Sequence, residues 1–122
     1  MLSQSQLSEK IIKAAMEVHN ELGYGLLEST YKKALIQELQ DKGLKAEEEK
    51  KIDIYYKGYY IGTNFIDLLV TDTFIVEIKT HINIIKPHFK QVRQYLKATG
   101  FSDSIILNFA PVKLQFKRVF LP

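Results

Sequence analysis

Cysteine is absent from this 122-residue sequence, proline occurs three times and glycine six times. Without cysteine there is no disulfide framework, thiolate zinc site, cysteine nucleophile or cysteine-ligated iron–sulfur cluster. No apolar run approaches the roughly 20 residues of a membrane span. The polar start MLSQSQLSEK lacks the hydrophobic stretch of a secretory signal. With 46% hydrophobic and 25% charged residues, the scarcity of proline and glycine excludes collagen-like, low-complexity and disordered classes. The expectation is one cytoplasmic domain over residues 1–122, with no membrane partner. A chain of this size buries roughly 65% of the surface its unfolded form exposes.

Charge of one sign is also scarce. Seventeen Lys and Arg against fourteen Asp and Glu leave a formal net charge of +3, which suits a polyanionic partner without requiring one. Glu47, Glu48 and Glu49 run straight into Lys50 and Lys51, a mixed stretch that reads as a solvated strand entry.

Periodicity organises the rest. Ile11, Ile12, Ala15, Val18, His19 and Leu22 fall on one stripe at about 100° per residue, predicting a helix from Ser8 to Leu22. Gly23-Tyr24-Gly25 breaks it. A second helix is expected from Leu26 or Leu27 to Lys42, closed by Gly43. Its stripe, Glu28, Tyr31, Leu35 and Leu39, puts a carboxylate at the head of an otherwise apolar face. Ile52, Ile54 and Tyr56 then alternate with polar residues, and Lys57-Gly58 marks a hairpin turn. The next strand runs Tyr59 to Val70, bent or bulged at Gly62, and a third covers Phe74 to Lys79. Pro87, at a first helical position, opens a helix that Gly100 terminates after Thr99. Strands Ser104–Phe109 and Leu114–Phe120 finish the order α-α-β-β-β-α-β-β. That order predicts an α+β or α/β domain, a mixed central sheet flanked by helices.

The turn Thr71–Thr73 carries chemistry. With three residues in the loop, antiparallel partners have numbers that add up to 144, so Val70 faces Phe74 and Asp67 faces Glu77. Directly opposed residues have Cβ atoms about 4.5–5.5 Å apart, where like charges repel. The flanks, Phe65, Ile66, Leu68, Leu69, Val70 and Phe74 to Ile78, are the most apolar part of the chain. Two opposed carboxylates there need a proton or a cation. An oxygen-ligated Mg²⁺ or Mn²⁺ is a natural candidate. Lys79 lies two residues past Glu77, on the same strand face about 6.6 Å along. Its ammonium could orient a water or neutralise a phosphate, so the trio suits metal-assisted phosphodiester hydrolysis. The alternative is a surface ion pair of Lys79 with Glu77, with Asp67 at a strand edge; short patterns of this kind also arise by chance.

Asp67 followed by Glu77-Ile78-Lys79 resembles the core motif of the PD-(D/E)XK nuclease superfamily. Gly25-Leu-Leu-Glu28-Ser-Thr-Tyr31 is similar to the signature of its GxxExxY family. The likeness continues through Val18-His19, Leu22-Gly23, the stretch Tyr95 to Gly100, and Asn108-Phe109. It implies a restriction-endonuclease-like αβββαβ core. It further implies Asp67, Glu77 and the Ile78 carbonyl as metal ligands, and Lys79 as the cation that orients water. Glu28 stands where RecB-like members carry an additional acidic residue near the metal. Gln91 and Tyr95 match the QxxxY motif, which lies beside the site and contacts nucleic acid or supports the ligands. The catalytic set implied is therefore Glu28, Asp67, Glu77, Lys79, Gln91 and Tyr95. No iron–sulfur cluster is expected, since the cysteines that hold one in some relatives are missing. Ile66 replaces the motif's proline, and Ala110 stands where the family often has glycine.

Other residues carry weaker expectations. Lys86, Lys90, Arg93 and Lys97 on the third helix form either a nucleic-acid-backbone patch or an ordinary solvated face. Tyr31 is expected in the core with its hydroxyl bonding near the site. His19 is expected to be packed and hydrogen-bonded rather than a base, and His88 to contact phosphate or have no special task. Two functions compete: a Mg²⁺- or Mn²⁺-dependent nuclease acting on DNA, and a catalytically silent nucleic-acid-binding or protein-interaction module. A third reading is a nuclease that needs a protein partner for substrate delivery.

Overall fold

The computed structural model describes residues 1–121. Helix α1 spans Gln4–Leu22, starting four residues before the apolar stripe predicts. The reason is a capping box: the Ser3 hydroxyl accepts from the Gln6 N–H at 3.1 Å, and the Gln6 carboxamide oxygen accepts from the Ser3 N–H at 2.9 Å. Gly23, at φ 70°, ends the helix and donates to the His19 carbonyl at 2.8 Å. Helix α2 (Glu28–Asp41) follows the intervening loop.

Five strands form one sheet in the order β1-β2-β3-β4-β5: Ala46–Tyr56, Tyr59–Val70, Phe74–Lys79, Asp103–Phe109 and Leu114–Phe120. Strand β1 begins six residues before Ile52, so the Glu47–Lys51 charge run belongs to the sheet proper. Lys57 (φ 47°) and Gly58 (φ 84°) link Tyr56 to its partner Tyr59, as a two-residue turn with two positive φ values requires. The register then slips between Ile54↔Gly62 and Tyr55↔Tyr60, leaving Ile61 unpaired beside the glycine where a bulge was expected. β3 and β4 pair in parallel and every other neighbour is antiparallel. Parallel neighbours need a crossover, and α3 (Lys86–Thr99) supplies it.

Helices cover both faces of the sheet. α1 and α2 pack on Leu68, Val70, Phe74, Val76, Ile78, Ile105, Leu107 and Phe109. α3 packs on Ile52, Ile66, Leu69, Ile75, Ile106 and Val119 through Val92, Tyr95 and Leu96. β3 and β4 are buried on both faces, which is why they read as nearly continuous apolar runs. Each fully buried Leu, Ile or Phe there contributes about 1.5–3 kcal/mol by its removal from water. Glu77 sits in one of these two strands.

Candidate active site

Asp67 and Glu77 are brought together by the turn between β2 and β3. Thr71 and Asp72 adopt positive φ (49° and 68°), and the pairs Val70↔Phe74, Leu69↔Ile75 and Leu68↔Val76 follow the register expected from the sequence. Asp67 and Glu77 occupy the next rung, but the ladder stops before it. The carboxylates replace the missing bonds. Glu77 Oε1 accepts from the Asp67 N–H at 3.2 Å, and Asp67 Oδ2 accepts from the Ile78 N–H at 2.9 Å. The strands therefore part here while remaining stitched by side chains.

β2 also lapses toward its other neighbour. Its register with β1 passes from Glu48↔Leu68 to Lys50↔Ile66, skipping Glu49 opposite Asp67, and Glu49 has φ 53°. Ile66 packs on the α3 side and Leu68 on the α1–α2 side. The two-residue alternation of a strand is thus broken at Asp67.

Glu77 is only 3% exposed. Its carboxyl pKa is pushed up to about 9, by burial first and then by the adjacent Asp67 charge; a bond from the Asp67 N–H and the Lys79 charge oppose this to a lesser degree. At neutral pH, without a cation, Glu77 holds a proton. The two carboxylates offer only oxygen donors, and Ile78 lines the cleft beside Asp67. Among the described residues no group of three or more His, Cys, Asp or Glu side chains forms a metal-binding cluster. A small hard cation that keeps several waters fits such a sparse set.

A cleft of about 270 Å³ opens over this point, lined by Glu28, Ser29, Lys32, Glu49, Asp67 and Ile78. Glu28 is in the cleft but is exposed, contrary to its expected place on the buried stripe. Tyr31, Leu35 and Leu39 are buried. Glu28, in the first turn of the helix, instead overhangs the gap where β2 and β3 diverge. Tyr31 fixes that first turn. Its hydroxyl donates to the Gly23 carbonyl at 2.5 Å and accepts from the Leu26 N–H at 3.3 Å, while its ring stacks on Phe109 at 4.4 Å. The hydroxyl thus serves the loop entering α2. Tyr31→Phe is expected to cost about 1–2 kcal/mol of stability, read from urea denaturation, because the Gly23 carbonyl loses its donor.

On the α3 face a second chain of contacts runs away from Glu77. Lys79 Nζ donates to Gln91 Oε1 at 3.0 Å, and Gln91 Nε2 donates to the Tyr95 hydroxyl at 3.1 Å. Burial, and then the Glu77 charge, push the Tyr95 hydroxyl pKa up. Among the described residues Lys79 has no ion pair with Glu77. The surface ion pair open to the sequence is therefore not formed, and Gln91 is not an idle helix-flank amide. Gln91→Ala would free the Lys79 ammonium.

Lys32, which the sequence marks with no role, and Glu49, which it marks only as part of a solvated strand entry, both line the cleft. They form a close ion pair across it. Burial works to lower the Lys32 pKa, but the Glu49 hydrogen bond and charge outweigh it and the pKa rises. The signals were a Glu28–Lys32 spacing of i, i+4 and the hairpin register that carries Glu49 to Asp67.

Two of the three histidines, His19 and His88, are buried and hydrogen-bonded. His19 Nε2 donates to the Ala110 carbonyl at 2.7 Å. His88 Nδ1 accepts from the Ile85 N–H at 3.2 Å, and its ring meets His81 edge-on at 4.6 Å. Burial, then Lys79 and His81, push its pKa down. Buried Asn108 clips the loop after Lys79: it accepts from the His81 N–H at 2.8 Å and donates to the His81 carbonyl at 2.9 Å. Lys86, Lys90 and Arg93 are exposed and, with Phe89, line a separate shallow depression. Lys97 lies further along α3.

A family model described as the PD-(D/E)XK nuclease superfamily matches residues 5–119. The chain belongs to that superfamily. No curated protein matches it. Among solved structures, SSO0001 is similar at a TM-score of 0.56 and 19% identity, over 98% of this chain and 80% of that one. The alkaline exonuclease LHK-Exo from Laribacter hongkongensis is similar at 0.56 and 17%, over 100% and 72%. LHK-Exo in complex with dAMP gives 0.51 and 16%, over 94% and 83%. At these identities the likeness concerns the fold, and the fold is that of a PD-(D/E)XK nuclease. Membership in this superfamily supports a nuclease-type function, and its members generally use divalent metals. No helix among the described residues is long and apolar enough to cross a membrane.

Proposed function

We propose that the chain is a Mg²⁺- or Mn²⁺-dependent nuclease of the GxxExxY group and QxxxY branch, acting on DNA as one cytoplasmic domain. The observation that carries this reading is the Asp67–Glu77 pair at the point where β2 and β3 part. A carboxyl held 97% buried against another carboxyl is unfavourable for a scaffold and useful to a cation. DNA is favoured over RNA by the fold likeness to LHK-Exo, whose structure holds a deoxynucleotide.

Asp67, Glu77 and the Ile78 carbonyl would hold the cation, with Glu28 as a further candidate across the cleft. When bound, the cation supplies Lewis-acid polarisation of a phosphoryl oxygen and acidifies a water. Glu77 would hold the cation as a carboxylate, its proton released to solvent. Lys79, aimed by Gln91, presents a fixed ammonium to the charge that develops on phosphate as water adds and the sugar oxygen departs. Tyr95, itself buried, holds Gln91 in turn, and Gln91 keeps the partial exposure that a strand could reach. Lys86, Lys90 and Arg93 would attract phosphates at longer range.

Single- and double-stranded DNA and RNA, incubated with Mn²⁺ or with EDTA, test the reading. Cleavage that needs the metal and falls about 10²–10³-fold in Lys79→Ala is the expected result. Cleavage undiminished in Glu77→Ala or Lys79→Ala sinks the mechanism. No cleavage together with no calorimetric metal binding would assign the chain to the silent binding module instead.

A further inference from the structure

The β1–β2 hairpin runs past β3 and ends in an aromatic tip. Tyr55, Tyr56, Tyr59 and Tyr60 are between 58% and 74% exposed, and they are four of the chain's seven tyrosines. Tyrosine rings are large apolar surfaces; the pairing puts Tyr55 with Tyr60 on one face of the hairpin and Tyr56 with Tyr59 on the other, and two such pairs left in water mark a contact surface. Tyr55 and Tyr60 engage each other edge-on at 6.0 Å. Tyr56 and Tyr59 face each other across the turn, with Lys57 Nζ lying 5.4 Å from the Tyr56 ring centre.

The chemistry around the rings selects an occupant. Residues 50–66 carry three lysines and a single acidic residue, Asp53, and Asp53 already accepts from the Thr63 hydroxyl at 3.0 Å. Aromatic faces interleaved with cations suit a strand that alternates flat bases with phosphates. A groove of about 340 Å³ between the hairpin and α3, lined by Asp53, Ile54, Tyr55, Gln94, Lys97 and Ala98, adjoins the tip. Gln94 follows Gln91 by three residues, so the groove begins one helical step from the Lys79–Gln91 contact. From Asp67 to Tyr59 the strand spans about 26 Å, at about 3.3 Å per residue.

We propose that the tyrosine tip is a base-stacking subsite that grips an unpaired nucleic-acid strand whose phosphates run along the α3 groove toward Lys79, beside the carboxylate pair. The identity of that pair as the cleavage site rests on the nuclease reading above; the tip itself is tested without cleavage. In a duplex the base faces are hidden in the stack, so the subsite distinguishes single strands and frayed ends from closed helices.

The test uses fluorescence anisotropy with a labelled single strand about 12 nucleotides long and a blunt duplex of the same sequence. The protein is the full chain carrying Glu77→Gln, so that neither oligonucleotide is cut. Tyr56→Thr with Tyr59→Thr, which keeps strand-forming residues, is expected to weaken single-strand binding at least about tenfold. Tyr56→Phe with Tyr59→Phe retains the ring faces and is expected to stay within about twofold of the Glu77→Gln protein. Duplex binding is expected to be unchanged in both. Three outcomes overturn the proposal: unchanged single-strand binding in the threonine pair, an equal loss on duplex, and no single-strand binding before the tip is altered. Sedimentation showing a dimer that the threonine pair dissociates, with strand binding intact, also overturns it and assigns the tip to a second copy of this chain. The nuclease reading is decided separately, by metal-dependent cleavage and its loss in Asp67→Asn.

Discussion

Asp67→Asn is expected to reduce metal-dependent cleavage by about 10²–10⁴-fold, the range that corresponds to losing several kcal/mol of charge stabilisation in the transition state. The amide is isosteric, so Oδ1 or its equivalent can still accept from the Ile78 N–H that Asp67 Oδ2 engages at 2.9 Å. The fold therefore survives, and the loss reports on charge rather than on structure. Lys79→Ala is expected to cost about 10²–10³-fold, because it removes one fixed positive group from the developing phosphate charge. The double variant is expected to fall well short of the product of the two losses, since groups that act together are non-additive. Single-turnover rates with saturating Mn²⁺ measure each effect. A rate in Asp67→Asn within a few-fold of the parent would remove Asp67 from the reaction, whereas additive losses would show that Asp67 and Lys79 act independently.

Glu77→Gln is expected to abolish cleavage while making the metal-free protein more stable at alkaline pH. Burial and the Asp67 charge hold the folded-state pKa at about 9, well above the ordinary carboxylate value. Below the unfolded pKa of about 4.3 the carboxyl is protonated in both states and adds no pH dependence. Between that value and about 9 the unfolded chain has released the proton and the folded chain keeps it. The unfolded state then binds fewer protons, so stability falls as pH rises across this window. The penalty is complete above the folded pKa. Glutamine escapes it, can accept from the Asp67 N–H as Glu77 does, and can donate to the Asp67 carboxylate. At pH 8 the gain is expected to be on the order of a few kcal/mol, because most of the proton-linkage penalty has accrued by then. Urea denaturation in EDTA at pH 5 and pH 8 measures it. Parallel pH dependence in parent and variant would show that Glu77 is not the titrating group. Added Mg²⁺ is expected to stabilise the parent through mass action and to release about one proton per ion bound near neutral pH. The variant should show neither effect.

These two results separate stability from function at one pair of residues, and most of that pair was legible in the chain. The three-residue turn at Thr71–Thr73 sets the register, and the two-residue period of a strand then puts Lys79 on the side of Glu77. Both are local rules. The helix stripes were equally legible, and the early start of α1 was encoded in Ser3 and Gln6, whose spacing forms the capping box. The Glu47–Lys51 run was harder. In isolation a charge run reads as solvent-facing, and most of it is exposed, but the hairpin returns it alongside β2 and sets Glu49 opposite Asp67.

The sequence by itself determined the element order, the mixed-sheet class and the opposition of two carboxylates, because turn length and side-chain period depend only on neighbours along the chain. Only the tertiary structure decided that the ladder opens at those carboxylates, that Glu28 hangs exposed over the gap, and that Lys32 pairs with Glu49. It also decided that Lys79 is held by Gln91 and Tyr95. Each of those contacts joins different helices and strands, or depends on where one strand leaves another. Their distances are set by how α2 and α3 pack on opposite faces of the sheet, which no local spacing rule contains.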